Sequence, residues 1–268
     1  MQRTVEAAWL AWYAAMGVDE PIGEAPVDRF AAPPAKTMAP EPIEAAQPTA
    51  AARTGAPPIV ARGAGAASDA VTAAEACATF EDLVAAIKAF EGCPPRRTAT
   101  STVVHDGNPR APVMLIGEAP GAEEDRRGLP FVGPAGQLLD RMLAAIGLDR
   151  AGVLITNSIF WRPPGNRTPT PEEIGQCLPF VERAIALVRP RVLVFVGGIA
   201  AKTLLGRPEG ITRLRGHWYR YQGHGLEAPI DAIALFHPAY LLRQPAQKRE
   251  AWRDLLAIRA RLDANVSD

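Results

Sequence analysis

The chain has 268 residues, 48% of them hydrophobic, with 29 basic and 29 acidic side chains that cancel to a formal net charge of zero. That length fits one or two domains, and no apolar run reaches the ~18 residues of a membrane-spanning helix, so no membrane role is expected. Three cysteines, Cys77, Cys93 and Cys177, with no CxxC pair, argue against a disulfide framework and fall short of a four-cysteine metal site.

Val5 to Met16 (VEAAWLAWYAAM) predicts a short amphipathic helix within residues 1–18. It lacks the character of a transit peptide or a secretory signal, so the protein is expected in the cytoplasm. Residues 19–74 read as a disordered linker, because 25 of the 50 residues from 21 to 70 are Ala or Pro and such a stretch buries too little to offset its ordering entropy. A protein partner reached through this helix and tether, and a neutral spacer, both fit the composition; the spacer is preferred. Residues 75–268 form the expected globular domain. Residues 91–268 carry 23 Lys or Arg, 21 of them Arg, against 18 Asp or Glu, a balance that suits a phosphate-backbone partner and equally suits solvated helix faces.

Along that domain, Val113–Ile116 is the first continuous β-branched run, and GEAPGAEEDRRGLPFVG follows it. The glycines suggest a phosphate loop, yet Glu118, Glu123, Glu124 and Asp125 crowd it and no Lys is present. Ala135–Ile146 has a helical apolar face, Val153–Thr156 is a second strand, and Thr170–Leu187 opens as a helix with Thr170 as N-cap, Pro171 at N1 and Glu173 closing a capping box. Val192–Val196 is a third strand, Ile199–Leu205 a short helix, Trp218–Tyr221 an edge strand or hairpin, Ala232–Phe236 a fourth strand, and Ala246–Leu262 a closing helix. Unbroken apolar runs alternating with helices predict an α/β sandwich whose central, mostly parallel, four-stranded sheet is flanked by helices.

In such sheets ligands bind beyond the carboxyl ends of the strands. The four expected strands end at Gly117-Glu118, Asn157, Gly197-Gly198 and His237-Pro238. Each residue has an ordinary structural explanation alone; together they place a carboxylate, an amide, close-approach glycines and an imidazole at one crevice. That set suits cleavage of a glycosidic bond. A carboxylate steadies an oxocarbenium-like transition state, an amide reads a base edge, an imidazole binds a departing anion, and Phe131 could stack the base.

Three blocks, GEAPGAEEDRRGLPFVGPAGQLLDRML, ITNSIFWRPPGNRTPTPEEIGQCLPF and FHPAYLLRQPAQKREAWRDL, resemble the family 4 uracil-DNA glycosylases over about residues 90–262. The resemblance implies a uracil-DNA glycosylase-like three-layer fold and a bacterial enzyme, acting as a monomer on uracil-containing DNA, that releases free uracil and leaves an abasic site in base excision repair. By this resemblance Glu118 faces the sugar cation or positions water, and His237 steadies the leaving uracilate. Gly117 lines the uracil pocket, Glu124 crowds the C5 side of the base, Phe131 stacks on it and Asn157 reads its edge. Arg162, Asn166, Arg167 and Arg243 are the candidate DNA contacts.

The family typically holds an iron–sulfur cluster on four cysteines. Here Cys93 and Cys177 match two of the positions, while Phe90 and Trp161 stand at the other two and Cys77 has no supporting context. Two thiolates cannot complete such a cluster, so no metal or other cofactor is expected and apolar packing should replace it. Two further readings remain: a catalytically weak protein that binds deaminated bases or abasic sites in DNA, and a hydrolase of small nucleosides, which the Arg-rich loops disfavour.

Overall fold

The computed structural model describes residues 64–264. The expected N-terminal helix and the tether up to residue 63 lie outside the described residues. The final part of the stretch read as linker is helical: α1 (Ala64–Glu75) buries Ala70 and Ala74 and packs on α5 (Pro171–Val188). Alanine favours helix strongly, but its small side chains leave no apolar stripe to announce one. Next comes α2 (Phe80–Ala89), capped by reciprocal bonds between Thr79 and Asp82.

Six strands form one sheet in the order β1-β3-β2-β4-β6-β5. The four expected apolar runs are β2 (Val113–Gly117), β3 (Val153–Asn157), β4 (Val192–Val196) and β6 (Ile230–Leu235), all mutually parallel. Beyond the expected four, β1 (His105–Gly107) and β5 (Trp218–Tyr221) close the two edges in antiparallel pairing. β1 carries the sequence HDG, with no apolar signal, and takes its place only by pairing with β3.

Continuous apolar strands make sense because alternate residues enter two cores. Met114, Ile116, Leu154, Leu193 and Phe195 face α1, α2, α5, α6 (Gly198–Leu205) and α7 (Ile211–Leu214). Val113, Leu115, Ile155, Val194 and Leu235 face α4 (Pro134–Ala144), α8 (Pro238–Arg243) and α9 (Lys248–Ala264). The result is the expected three-layer α/β sandwich, and helix α5 starts as expected, with the Thr170–Glu173 capping box and Pro171 at N1. β2 has β3 on one side and β4 on the other, so the strand order reverses beside β2, where a crevice opens at the carboxyl ends.

Candidate functional site

At that crevice lies a cavity of about 510 Å³ lined by Glu118, Glu124, Phe131, Asn157, Asn166, Arg167, His237, Tyr240 and Arg243, among others. Eight of the ten expected site residues therefore border one space. Gly117 immediately precedes the lining residue Glu118, and Arg162 is joined to the lining residue Asn166, to whose Oδ1 its Nε donates at 2.6 Å.

Strand register begins the assembly. Gly117 and Asn157 pair across β2 and β3, and both Ser158 N and Ser158 Oγ donate to the Gly117 carbonyl, at 2.8 and 2.9 Å. A side chain at Gly117 would collide with Asn157 Oδ1 and come within 2.6 Å of the Phe131 ring. Glycine is thus required because the amide and the aromatic ring meet over the strand end. Asn157 is 2% exposed.

The run of carboxylates after β2 has a local cause. Residues Ala122–Arg127 form helix α3, and Glu123, Glu124 and Asp125 occupy its first turn, where the helix dipole favours negative charge. Asp125 Oδ1 accepts from the N–H groups of Thr100 and Ser101 at 2.8 and 2.9 Å. Glu123 pairs with Arg126. Glu124 Oε2 accepts from Gly121 N at 3.1 Å, and Oε1 accepts from Val132 N and Gly133 N, both at 2.9 Å. Both Glu124 oxygens are therefore engaged by backbone, and any contact of Glu124 with a base would be one of shape. Glu118 differs: it precedes the helix, is half-buried, and has no basic side chain paired with it among the described residues. Burial raises its pKa above the ordinary carboxylate value.

His237 caps α8. Its Nδ1 accepts from Ala239 N at 3.1 Å, so in the neutral ring the proton sits on Nε2, the group left to donate. Burial, helped by the nearby positive Arg243, pushes its pKa down to about 4. The imidazole is thus neutral near pH 7. Gly197, at φ +101°, runs so close that a Cβ would sit 3.3 Å from His237 Cβ. The Phe131 ring stacks on His237 with centroids 5.5 Å apart. Phe131 itself has φ +53°, a conformation that costs about 1–3 kcal/mol for a non-glycine residue and is typical of functional sites.

The loop after β3 carries the cations. Arg167 forks onto Glu173, at 2.8 and 2.5 Å, and so anchors the loop to the start of α5. Arg243 is exposed, with no carboxylate paired to it among the described residues. Tyr240 was missed by sequence reasoning. It lies one turn after His237 and packs against Phe236 at 5.0 Å, and its aromatic character within HPAYLL was the available signal.

The four positions that the family resemblance gives to an iron–sulfur cluster, Phe90, Cys93, Trp161 and Cys177, are all buried in one core. Cys93 and Cys177 are fully buried and their sulfurs lie 3.7 Å apart. The Phe90 and Trp161 rings have centroids 6.4 Å apart, and Phe180 packs edge-on against Phe90 at 5.1 Å. The indole N–H of Trp161 donates to Thr102 Oγ1 at 3.0 Å. Burial and the neighbouring Cys93 thiol push the Cys177 thiol well above its usual range. Cys77 bonds to the Ala73 carbonyl at 3.1 Å. Two cysteines and two aromatic rings do not fit a cluster that needs four thiolates.

Residues 104–256 match the model of the uracil DNA glycosylase superfamily. A type-4 uracil-DNA glycosylase of Archaeoglobus fulgidus is 39% identical over 184 residues, 67% of this chain and 92% of that protein. One from Pyrobaculum aerophilum is 40% identical over 173 residues, 63% of this chain and 87% of its own length. A type-5 uracil-DNA glycosylase of Thermus thermophilus is 34% identical over 194 residues, 65% of this chain and 83% of that relative. With the three-layer fold, the crevice beside β2 and this match over more than half its length, the chain belongs to the uracil DNA glycosylase superfamily.

Proposed function

We propose that the chain hydrolyses the N-glycosidic bond of uracil in DNA, giving free uracil and an abasic site as the first step of base excision repair. One observation carries this reading: a carboxylate with no basic partner among the described residues, a buried amide, a stacking ring and a neutral imidazole border one cavity, those of Glu118, Asn157, Phe131 and His237. The cavity's volume falls within the range of about 300–1,000 Å³ usual for small-molecule pockets.

Uracil leaves the stack at a cost of a few kcal/mol and enters the cavity. Phe131 covers its face and the Asn157 amide offers a donor and an acceptor to its edge. As the C1′–N1 bond breaks, its electron pair passes to the base, and the Nε2–H of His237 donates to the anionic uracil. A neutral histidine serves here because it donates one hydrogen bond without requiring a buried positive charge. Glu118 faces the cationic sugar; water adds at C1′ to form the hydroxyl of the abasic site, and the proton it gives up balances the one that converts the uracil anion to free uracil. The Arg162–Asn166–Arg167 loop and Arg243 are suited to the phosphates on either side. The chemistry uses only these side chains and water.

The test is release of free uracil from an oligonucleotide with one uracil, beside thymine-containing DNA and the uridine mononucleotide. Excision from the uracil strand alone, falling steeply with salt, supports the reading. Tight binding without release would favour the damaged-DNA binder, and cleavage of the mononucleotide would favour a nucleoside hydrolase.

A further inference from the structure

The Phe131 ring can cover a base only if its backbone keeps a conformation that phenylalanine rarely adopts, with φ +53°. Three features hold it. Gly136 supplies space, since a Cβ there would overlap the Phe131 carbonyl. Glu124 accepts from the N–H groups of Val132 and Gly133. On the other side stands Arg150, in the turn before β3, which enters none of the motifs described above. Its guanidinium donates to the Phe131 carbonyl and, at 3.2 Å, to the Pro130 carbonyl. The same guanidinium is aimed by two acids, Asp106 of β1 and Asp140 of α4, the latter accepting from Nε at 2.8 Å.

One peptide unit, between Phe131 and Val132, is thus held at both ends by opposite charges. Its C=O meets the cation of Arg150 and its N–H meets the anion of Glu124. Charge-assisted bonds of this kind are roughly twice as strong as neutral ones, and a guanidinium fork fixes direction as well as distance. Lysine could supply the charge but not the fork. Asp106 also explains why the short strand β1 matters to the site: it brings an acid to the back of the loop.

We propose that Arg150 is a positioning residue for base recognition, fixing the Phe131 ring against His237 through the Phe131–Val132 peptide. The proposal rests on reading the cavity as a base pocket, but its geometry can be tested without turnover. The ring current of Phe131 shifts the His237 ring protons in proton NMR, and Phe131→Ala defines the shift without it. In Arg150→Ala the His237 signals should move most of the way to the Phe131→Ala position, and in Arg150→Lys part of the way. Signals unchanged from wild type in both variants would overturn the proposal. If Arg150→Ala does not fold, Arg150→Lys alone decides it. In single-turnover excision, Arg150→Ala should lose about 10-fold in a wild-type background and less than twofold when Phe131 is already Ala. Equal losses in the two backgrounds would mean a merely structural role and would also overturn it. Absence of excision by wild type would instead remove the proposed function and leave the NMR result to stand.

Discussion

Phe131 and His237 stack with ring centroids 5.5 Å apart and planes inclined by 29°, although they reach the cavity from opposite directions, one from the loop before α4 and the other from the end of β6. Gly117 and Gly197 make the approach feasible, because side chains at those positions would meet the Phe131 and His237 rings respectively. The site is thus built by what the strand ends omit as much as by what they carry.

Gly117→Ala tests that construction. Its methyl would force the Phe131 ring and the Asn157 amide apart, so excision should fall by about 100-fold or more. Circular dichroism and the melting temperature should show a protein that is still folded, because the clash lies at the rim of the core.

The pH dependence follows from two shifts of opposite sense. Burial raises the Glu118 pKa, so its carboxylate is lost as pH falls while most exposed acids remain ionised. The acid limb of kcat/KM should therefore lie above the ordinary carboxylate value of 4.5. His237, depressed to about 4, stays neutral through that limb and protonates only below it. Stability behaves differently: unfolded His237 takes a proton near 6.5 and folded His237 does not. Its contribution is full above that pH and declines as pH falls toward 4. A limb at or below 4.5, or one that persists unchanged in the residual activity of Glu118→Gln, would contradict this.

With Phe90 and Trp161 at two of the positions that the family resemblance gives to a cluster, apolar packing is expected to supply the stability of this core. Trp161 is 1% exposed, and Trp161→Ala should cost about 3–5 kcal/mol in urea unfolding. Metal analysis should find no stoichiometric iron, and an iron chelator should leave the melting temperature unchanged. A visible absorption band lost together with stability on chelation would refute the account of this core.

Arg243 is exposed at the cavity mouth without a paired carboxylate among the described residues. Arg243→Ala should raise KM for uracil-containing DNA and lower the salt slope of binding by about 1. Arg167 is already forked onto Glu173, so Arg167→Ala should also lower the melting temperature, which Arg243→Ala should not.

How much of this was legible in the sequence depended on what each segment does. The four parallel strands announced themselves because burial on both faces leaves an unbroken apolar run, as in VLVFV from Val192 to Val196. Glu118, Asn157 and His237 were legible because each directly follows such a run. β1 and α1 were not: HDG has no apolar period, and the burial of Ala70 and Ala74 depends on a neighbour distant in sequence. The carboxylates of the loop after β2 were legible as an anomaly but not as a helix start. Their separate tasks depend on donors elsewhere in the chain, Thr100 and Ser101 to Asp125 and Val132 and Gly133 to Glu124. Arg150 carries no local signal, because every partner of its guanidinium lies at least ten residues away in the chain.

Glu118 and His237 have opposed roles, and single-turnover release of uracil from a single-uracil oligonucleotide, at saturating enzyme near neutral pH, measures them together. Wild type should release uracil, and Glu118→Gln and His237→Ala should each lose about 100-fold or more in rate while remaining folded and still binding the DNA. Excision at the wild-type rate by both variants would contradict the assignment of this cavity as the active site.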